Sequence, residues 1–368
     1  MGQFGIGQPV AREEDPYLLR GKGRYVDDVS EKGQLQASVL RSPFAHAKIN
    51  SVDISAAESA PGVHLVLTGD HPEVAKLGLQ HPMVQRHRRD GIPVPPCPQK
   101  HLATDVVRYV GDYVAFVVAD TLAQAKDAAE MIVVDYEELP SVVSTSDAVT
   151  FAAPQVWEEL PNNEMYVHRV GDESATDAAF AKAAHVVKHS MVINRVTTNS
   201  MEPRGSIAEY DARDDRYIVR CTVQSPHRCR NTLATQIFNL PEMKIRVISE
   251  NMGGGFGMKG GVYPEYTLTM VAAKLVDRPV KWISERSEGL LSDEQARDNV
   301  TDAELALDED GRFLGLRVKT LAAGGAYYNS ERNAGPGTTN LGVLAGTYMT
   351  PAIYVEATGV VTNTMMTA

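Results

Sequence analysis

The stretch KIRVISENMGGGFGMKGG, residues 244–261, is the most informative part of this sequence. Ile245 and Val247 alternate with more polar neighbours, a pattern that predicts a strand. The loop after this strand holds four glycines around one aromatic residue: Gly253, Gly254, Gly255, Phe256 and Gly257. Because glycine has no Cβ, the N–H groups of such a loop can approach a bound anion or a large flat cofactor. We therefore predict that the loop binds a ligand through its backbone.

The sequence on both sides of the loop predicts alternating strands and helices. Residues 265–276 have the apolar spacing of a helix, and residues 278–284 are predicted to form another strand. Further elements are predicted upstream: a helix at 175–184, strands at 185–194, 207–211 and 217–224, and a helix at 231–240 that opens near Pro226. This alternation is typical of a layered α/β domain.

The glycines alone leave other interpretations open. Gly255, Gly257 and Gly260 match the G-x-G-x-x-G pattern of a dinucleotide-binding loop, and Glu285 lies about where a ribose-binding acid would be. Residues 249–254 separate the strand from this pattern, whereas in a dinucleotide fold the first glycine follows the strand almost at once. A dinucleotide-binding dehydrogenase domain and a glycine-rich turn without a ligand both stay open at this point.

Composition and charge narrow the class of protein. The 368 residues carry a net charge of −11, and 43% are hydrophobic and 23% charged, as in an ordinary soluble globular protein. The negative charge argues against a nucleic-acid or anionic-membrane partner, since both attract basic patches. Three scattered cysteines are too few for an iron–sulfur site or a disulfide framework, and Cys221 and Cys229 are predicted to be buried thiols. With no apolar segment of signal-peptide or membrane-spanning length, a cytoplasmic protein is expected.

Four motifs surround the glycine loop: NSMEPRGSIAEYD (199–211), TVQSPH (222–227), IRVISENMGGGFGMK (245–259) and RPVKWISERSE (278–288). In this order they resemble the molybdenum-binding large subunit of the xanthine dehydrogenase family, and most closely its carbon monoxide dehydrogenase-like branch. Two phrases nearer the N-terminus, LRGKGRYVDD and LRSPFAHAKI, resemble the α/β hammerhead domain of the same family.

The resemblance implies an α+β protein of two main domains. An α/β hammerhead domain is expected at residues 17–140, and the first part of the molybdenum-cofactor-binding α/β domain at residues 172–368. Residues 1–16 are then an N-terminal extension. Residues 141–171 have little periodicity and are predicted to be a connector across the surface. Within the first domain, residues 106–120 predict a hairpin.

The resemblance also assigns roles to residues around the loop. Gln224 matches a glutamine that donates a hydrogen bond to an oxygen ligand of molybdenum. Glu202 matches a position at which an acid either orients the substrate or packs the pocket, and the nearby Arg204 is expected to be able to neutralise it. The residues expected to lie against the metal and its pterin dithiolene are Gly254, Gly255, Phe256 and Gly257. No direct protein ligand to the metal is expected, and the family's general base is not expected in this chain.

Cofactors and partners follow from the same resemblance. Molybdenum–molybdopterin, in its plain or cytosine dinucleotide form, is expected here, with FAD on a medium partner subunit and 2Fe–2S clusters on a small one. The reaction would oxidise an aldehyde, an N-heterocycle or a similar small substrate, with water as the oxygen source. Since the motifs match the first half of the family's large subunit, a second chain with the C-terminal half is expected, and the isolated chain is expected to be inactive. A noncatalytic scaffold or fragment is the remaining alternative.

Overall fold

The computed structural model describes residue 7, residues 9–339 and residues 341–368. These residues form fifteen strands: β1 (Leu35–Arg41), β2 (Ala47–Asp53), β3 (Val63–Thr68), β4 (Val106–Val107), β5 (Tyr113–Ala119), β6 (Val133–Glu138), β7 (Glu164–Gly171), β8 (His185–Ile193), β9 (Gly205–Asp211), β10 (Arg216–Cys221), β11 (Ile245–Ile248), β12 (Val280–Ile283), β13 (Asn299–Leu307), β14 (Phe313–Gly325) and β15 (Ala352–Val361).

The same residues form nine α-helices: α1 (Asp15–Leu18), α2 (Ser55–Glu58), α3 (Pro72–Ala75), α4 (Leu122–Glu130), α5 (Glu173–Ala181), α6 (Pro226–Asn231), α7 (Pro264–Val276), α8 (Arg286–Ser292) and α9 (Gly335–Thr338). A π-helix, Thr232–Phe238, continues α6, and it ends where Asn239 takes the left-handed conformation with φ 50°. None of the described helices combines the length and the apolar character needed to cross a membrane.

A seven-stranded sheet forms the centre of the molecule, with the order β11-β10-β9-β12-β1-β5-β3. β1 runs parallel to β12 and antiparallel to β5, so strands from the predicted hammerhead region extend the sheet that carries the glycine loop. α7 packs on β9 and buries most of its length, from Pro264 to Ala273. The predicted strand–loop–helix–strand unit is therefore present, but two other strands separate β11 from β12.

A second sheet of five strands has the order β7-β15-β14-β13-β8. β14 is its central strand and runs parallel to β15, whereas β8 lies at one end and, among the described strands, pairs only with β13. All nine residues of β8 are exposed, including the valines Val187 and Val192. The strand therefore presents a bare edge and two open faces.

A small third sheet has the order β4-β2-β6. It shows that the hairpin predicted within residues 106–120 is wrong. The chain does turn at Gly111, which has φ 106°, but β4 pairs with β2 while β5 pairs with β1 and β3. The two arms join different sheets, because β5 is apolar throughout and is buried between β1 and β3 in the large sheet.

Residues 141–171 differ from the predicted surface connector. Leu160, Met165 and Tyr166 are buried, and the segment ends in β7, which pairs with β15. Tyr166 donates a hydrogen bond to the Ala334 carbonyl oxygen at 2.8 Å. Cys221 and Cys229, predicted to be buried thiols, are buried and free, which confirms that prediction.

Candidate functional site

The glycine loop lies at the end of β11, at the outer edge of the large sheet, and leads through a short 3₁₀ turn, Met258–Gly260, into α7. Three of its residues have positive φ: Gly254 (99°), Phe256 (50°) and Gly257 (95°). A Cβ built on Gly255 would lie 2.7 Å from Gln224 Cδ. Glycine is therefore needed for backbone conformation at some positions and for close packing at others.

Gln224 lies directly against the loop. Its side-chain Oε1 accepts a hydrogen bond from the Gly257 N–H at 3.0 Å, and its backbone N–H donates to the Lys259 carbonyl oxygen at 2.9 Å. Among the described residues no acceptor pairs with Gln224 Nε2. The amide is thus fixed through its oxygen, and its NH₂ group is left as a hydrogen-bond donor beside the loop.

Glu202 contacts the first part of the loop. Its Oε2 accepts hydrogen bonds from the Gly253 N–H at 2.8 Å and from Lys259 Nζ at 2.9 Å. Lys259 is fully buried, and this burial lowers its pKa, although the Glu202 carboxylate acts in the opposite direction. The structure therefore places the Glu202 carboxylate on the loop backbone. Its suggested contact with a substrate stays a prediction.

Arg204 does not pair with Glu202, and the expectation that it could neutralise that carboxylate is corrected. Its side chain is completely buried and binds Glu265 in a bidentate manner, at 3.0 and 3.1 Å, and Asp293 at 2.5 Å. The guanidinium also stacks on the Tyr263 ring, with its centre 3.8 Å from the ring centroid. Glu265 and Asp293 bind the Arg204 guanidinium in place of Glu202, because a buried guanidinium needs several acceptors.

Glu265 connects this buried cluster to the hammerhead region. Its Oε1 also accepts a hydrogen bond at 2.7 Å from Arg41, which lies at the end of β1. Burial alone would raise the pKa of Glu265, yet the Arg204 and Arg41 guanidiniums hold that pKa below its ordinary value. Glu288 on α8 lies 2.8 Å from Arg41 and completes the cluster. The cluster therefore joins strands from both sequence regions beside α7.

Arg332 contacts the loop, a contact that sequence patterns did not predict. Its Nη2 donates to the Gly257 carbonyl oxygen at 2.6 Å and to Glu294 Oε2 at 2.8 Å. This residue is 75 positions beyond Gly257. No motif or periodicity connects the two, so only the tertiary fold could have revealed the contact.

The loop has an open face at Phe256 and Gly257. Phe256 is 76% exposed, and no atom lies within 4 Å of the place where a Cβ on Gly257 would be. A large flat group therefore has room to lie against the backbone at Gly257, beside the NH₂ group of Gln224. In the part of the chain that the structure describes, no three His, Cys, Asp or Glu side chains come together as a metal site. The loop backbone and the Gln224 amide therefore fit a ligand that they contact through its organic part and its oxygen atoms.

The dinucleotide interpretation fits the geometry less well. In that fold the strand after the first helix lies beside the first strand, whereas β12 lies three positions from β11 in the sheet. Glu285, the candidate ribose-binding acid, instead forms a 2.5 Å ion pair with Lys126 on α4. The glycines are thus not arranged as in a mononucleotide-binding half.

The fold and the loop together define a layered α+β protein that can offer a glycine-rich backbone to a large ligand. The chain belongs to the molybdopterin cofactor-binding domain family, whose model matches residues 156–368. The model of the a/b hammerhead domain of aldehyde oxidase and xanthine dehydrogenase matches residues 20–140. The expected family and fold class are confirmed.

Individual proteins and solved structures are also similar to this chain. The chain is 34% identical to the carbon monoxide dehydrogenase large chain of Hydrogenophaga pseudoflava, over 98% of this chain and 45% of the relative. Reconstituted CO dehydrogenase from Oligotropha carboxidovorans is similar in structure, with a TM-score of 0.89 and 33% identity over 99% of this chain and 45% of that one. The nicotinate dehydrogenase large molybdopterin subunit of Eubacterium barkeri is 27% identical, over 98% of this chain and 80% of the relative. The chain thus spans less than half of the first two proteins and most of the third.

Proposed function

We propose that the glycine loop and Gln224 form one wall of a molybdopterin site. The observation that carries this proposal is the hydrogen bond from the Gly257 N–H to Gln224 Oε1, because it leaves Gln224 Nε2 as a donor beside the open face of the loop. When bound, the molybdenum cofactor supplies the redox chemistry and the activated oxygen for hydroxylation. Gln224 Nε2 binds and orients an oxygen of that group, and Phe256 shields it from water on one side. Gly254, Gly255 and Gly257 let the backbone come close.

The activity that follows is that of an oxidoreductase of the molybdenum hydroxylase type. We propose an aldehyde, an N-heterocycle or a similar small molecule as substrate, with water as the source of oxygen. The relatives support this class, since one is named for carbon monoxide and another for nicotinate. The general base and much of the substrate pocket would come from the remaining part of the family's large subunit, so turnover is expected only in the assembled protein.

Partners and finer cofactors are proposed on the same basis. The nicotinate dehydrogenase subunit, of which this chain spans 80%, supports a large subunit divided over two chains. We therefore propose a partner that carries the C-terminal half, a medium subunit with FAD and a small subunit with 2Fe–2S clusters. The cytosine dinucleotide form of the pterin is included in this proposal. Buried free thiols suit a reducing compartment, and we place the complex in the cytoplasm.

We also propose the division of the chain into family domains at residues 17–140 and 172–368, preceded by the extension 1–16. The two family matches support two units. Strand β7 pairs with β15 and so belongs structurally with the second unit, although it precedes residue 172.

The experiment changes Gln224 to Ala and Phe256 to Ala in the reconstituted complex and measures molybdenum per chain and turnover. Residues that hydrogen-bond to the ligands of a metal typically contribute about 10–100-fold to affinity or activity, so we expect losses in this range for Gln224→Ala. Phe151→Ala is the matched control, because Phe151 is fully exposed and distant from the loop in sequence. Full molybdenum content and full turnover in both loop variants would contradict the assignment. Binding of a nicotinamide dinucleotide by the chain alone would favour the dehydrogenase alternative instead.

A further inference from the structure

The two ends of the glycine loop are each held by an ion pair, while its middle is open. Lys259 and Glu202 bind the first end at Gly253, and Arg332 with Glu294 binds the second end at Gly257. We propose that these two ion pairs fix the loop in the shape that accepts its ligand, which makes Glu202 and Arg332 positioning residues. The proposal rests on the proposed function only for the identity of that ligand.

At the first end, Glu202 and Gly253 are joined by a reciprocal pair of hydrogen bonds. The Glu202 N–H donates to the Gly253 carbonyl oxygen at 3.1 Å, and the Gly253 N–H donates to Glu202 Oε2 at 2.8 Å. Lys259 Nζ then donates to the same Oε2 and, at 2.8 Å, to the Glu202 carbonyl oxygen. Because Oε2 serves both the backbone and a buried ammonium, the carboxylate is held in place.

At the second end, one guanidinium connects the loop to a buried carboxylate. Arg332 Nη2 donates to the Gly257 carbonyl oxygen, while Glu294 Oε2 accepts from Arg332 Nη2 at 2.8 Å and from Nε at 3.3 Å. The Gly257 carbonyl oxygen also accepts from the Gly260 N–H at 2.8 Å, and the Gly257 N–H donates to Gln224. Both polar groups of the Gly257 backbone are therefore fixed from outside the loop.

The conformation between these ends explains why such restraints are needed. Phe256 has φ 50°, a left-handed conformation that a bulky residue rarely adopts, and its ring is exposed rather than packed. A conformation of this kind is strained and persists only when the surroundings determine it. Since the Phe256 side chain contributes little packing, the restraint must come from residues on either side. The ion pairs at Gly253 and Gly257 supply it.

The test measures hydrogen exchange of residues 250–262 and molybdenum per chain in the assembled complex, prepared with and without molybdate in the growth medium. Three variants are compared. Arg332→Gln removes one ion pair, and Arg332→Lys keeps the charge. The double variant Glu202→Gln/Lys259→Met removes the other pair without leaving a buried charge unpaired. Arg317→Gln is the matched control, because Arg317 is likewise half-buried and ion-paired, here with Asp177 and Glu304, but lies in the five-stranded sheet.

Without molybdate, we expect local changes in exchange. Loss of a hydrogen bond typically corresponds to about tenfold faster exchange. Exchange should accelerate at Gly257 and Gly260 in Arg332→Gln and at Gly253 in the double variant, with β5 unchanged. Arg332→Lys should restore most of the protection, and Arg317→Gln should leave the loop as it is. A merely structural role would instead accelerate exchange in β5 as well.

With molybdate, the two loop variants should retain about tenfold less molybdenum than the control. Wild-type exchange across the loop in both variants, or equal acceleration in β5, would overturn the positioning proposal. Accelerated loop exchange with full molybdenum content would support the positioning role and overturn the proposed function of the loop. The results can therefore contradict the positioning role of the ion pairs and the molybdopterin-binding role of the loop independently.

Discussion

Strands β5 and β8 are both rich in apolar residues, yet the fold treats them in opposite ways. β5, YVAFVVA, is buried at all seven positions, between β1 and β3 in the large sheet. β8, HVVKHSMVI, is exposed at all nine positions, at the end of the five-stranded sheet. Composition separates them in part, since β5 is apolar throughout whereas β8 also contains His185, Lys188, His189 and Ser190. The apolar residues of β8 are nevertheless exposed, so burial depends also on what packs on a strand, and the β8 edge is the least protected regular structure among the described strands.

The ion pairs of the two sheets differ in burial in the same way as β5 and β8. Arg204 and Glu265, beside the large sheet, are both fully buried. On β8, Lys188 reaches Glu304 at 2.5 Å, but 72% of the lysine side chain is exposed. A buried pair is strongly destabilised when one partner is removed, whereas an exposed pair contributes little. The contrast between the sheets can therefore be measured.

The largest expected effect comes from Glu265→Gln. This change leaves the Arg41 and Arg204 guanidiniums without their shared carboxylate, and breaking a buried pair costs about 3–5 kcal/mol. The matched change Glu304→Gln on the five-stranded sheet should lower the free energy of unfolding by only about 0–1 kcal/mol. Urea unfolding of both variants measures the difference. Equal losses would show that the two sheets do not differ in this respect.

A smaller effect is expected from His101, which lies on the buried side of the comparison, near β5. Burial lowers the pKa of His101 to about 4, although its ring nitrogen Nε2 donates to the Gly78 carbonyl oxygen at 3.0 Å. An unfolded chain has a histidine pKa of about 6.5. As the pH falls from about 6.5 to about 4, the unfolded state binds a proton that the folded state does not, and the free energy of unfolding falls by about 3 kcal/mol.

Measured urea unfolding between pH 7 and pH 4 tests this sign and size. His101→Gln keeps a hydrogen-bond donor near the position of Nε2 but cannot titrate, so the part of the pH dependence due to this residue should disappear. If the variant keeps the whole slope of the unmodified chain, His101 is not the group responsible.

The smallest effect on stability is expected at the exposed edge. Val192 on β8 is 64% exposed, so Val192→Lys should change the free energy of unfolding by less than about 0.5 kcal/mol. The same change should reduce self-association of the isolated chain, because a charge on an edge strand opposes edge-to-edge pairing. Sedimentation velocity with Val192→Thr, which keeps the β-branched shape, provides the control. Unchanged self-association of Val192→Lys would show that β8 is not the surface through which the chains associate.

Local sequence patterns predicted the elements next to the loop well. The expected strand and helix on either side of the glycines are β11 and α7, and the family resemblance predicted the fold class. The hairpin within residues 106–120 was wrong, since the pattern of apolar residues cannot tell which sheet each arm will join. The strand β7 was missed for a related reason, because its partner β15 lies almost 200 residues further along the chain.

The candidate site shows a similar limit. Sequence reasoning singled out Gln224, Glu202 and the glycines, and the fold brings these residues within hydrogen-bond distance of one another. Their roles toward a cofactor stay predictions. Arg332 could not be found, and Arg204 was paired with the wrong carboxylate, because proximity in sequence says nothing about which buried acids surround a guanidinium. Motifs identify residues that approach the ligand, whereas the residues that hold them depend on long-range packing.

The parallel pairing of β1 with β12 has a consequence for synthesis of the chain. Leu35 pairs with Val280, and the Leu35 N–H donates to the Pro279 carbonyl oxygen at 2.8 Å. At about 5–20 residues per second, β1 waits roughly 10–50 seconds on the ribosome before β12 emerges. Meanwhile one edge of β1 is unpaired and open to wrong partners. The early strands are thus candidate clients for a ribosome-associated chaperone, and the large sheet closes only late in translation.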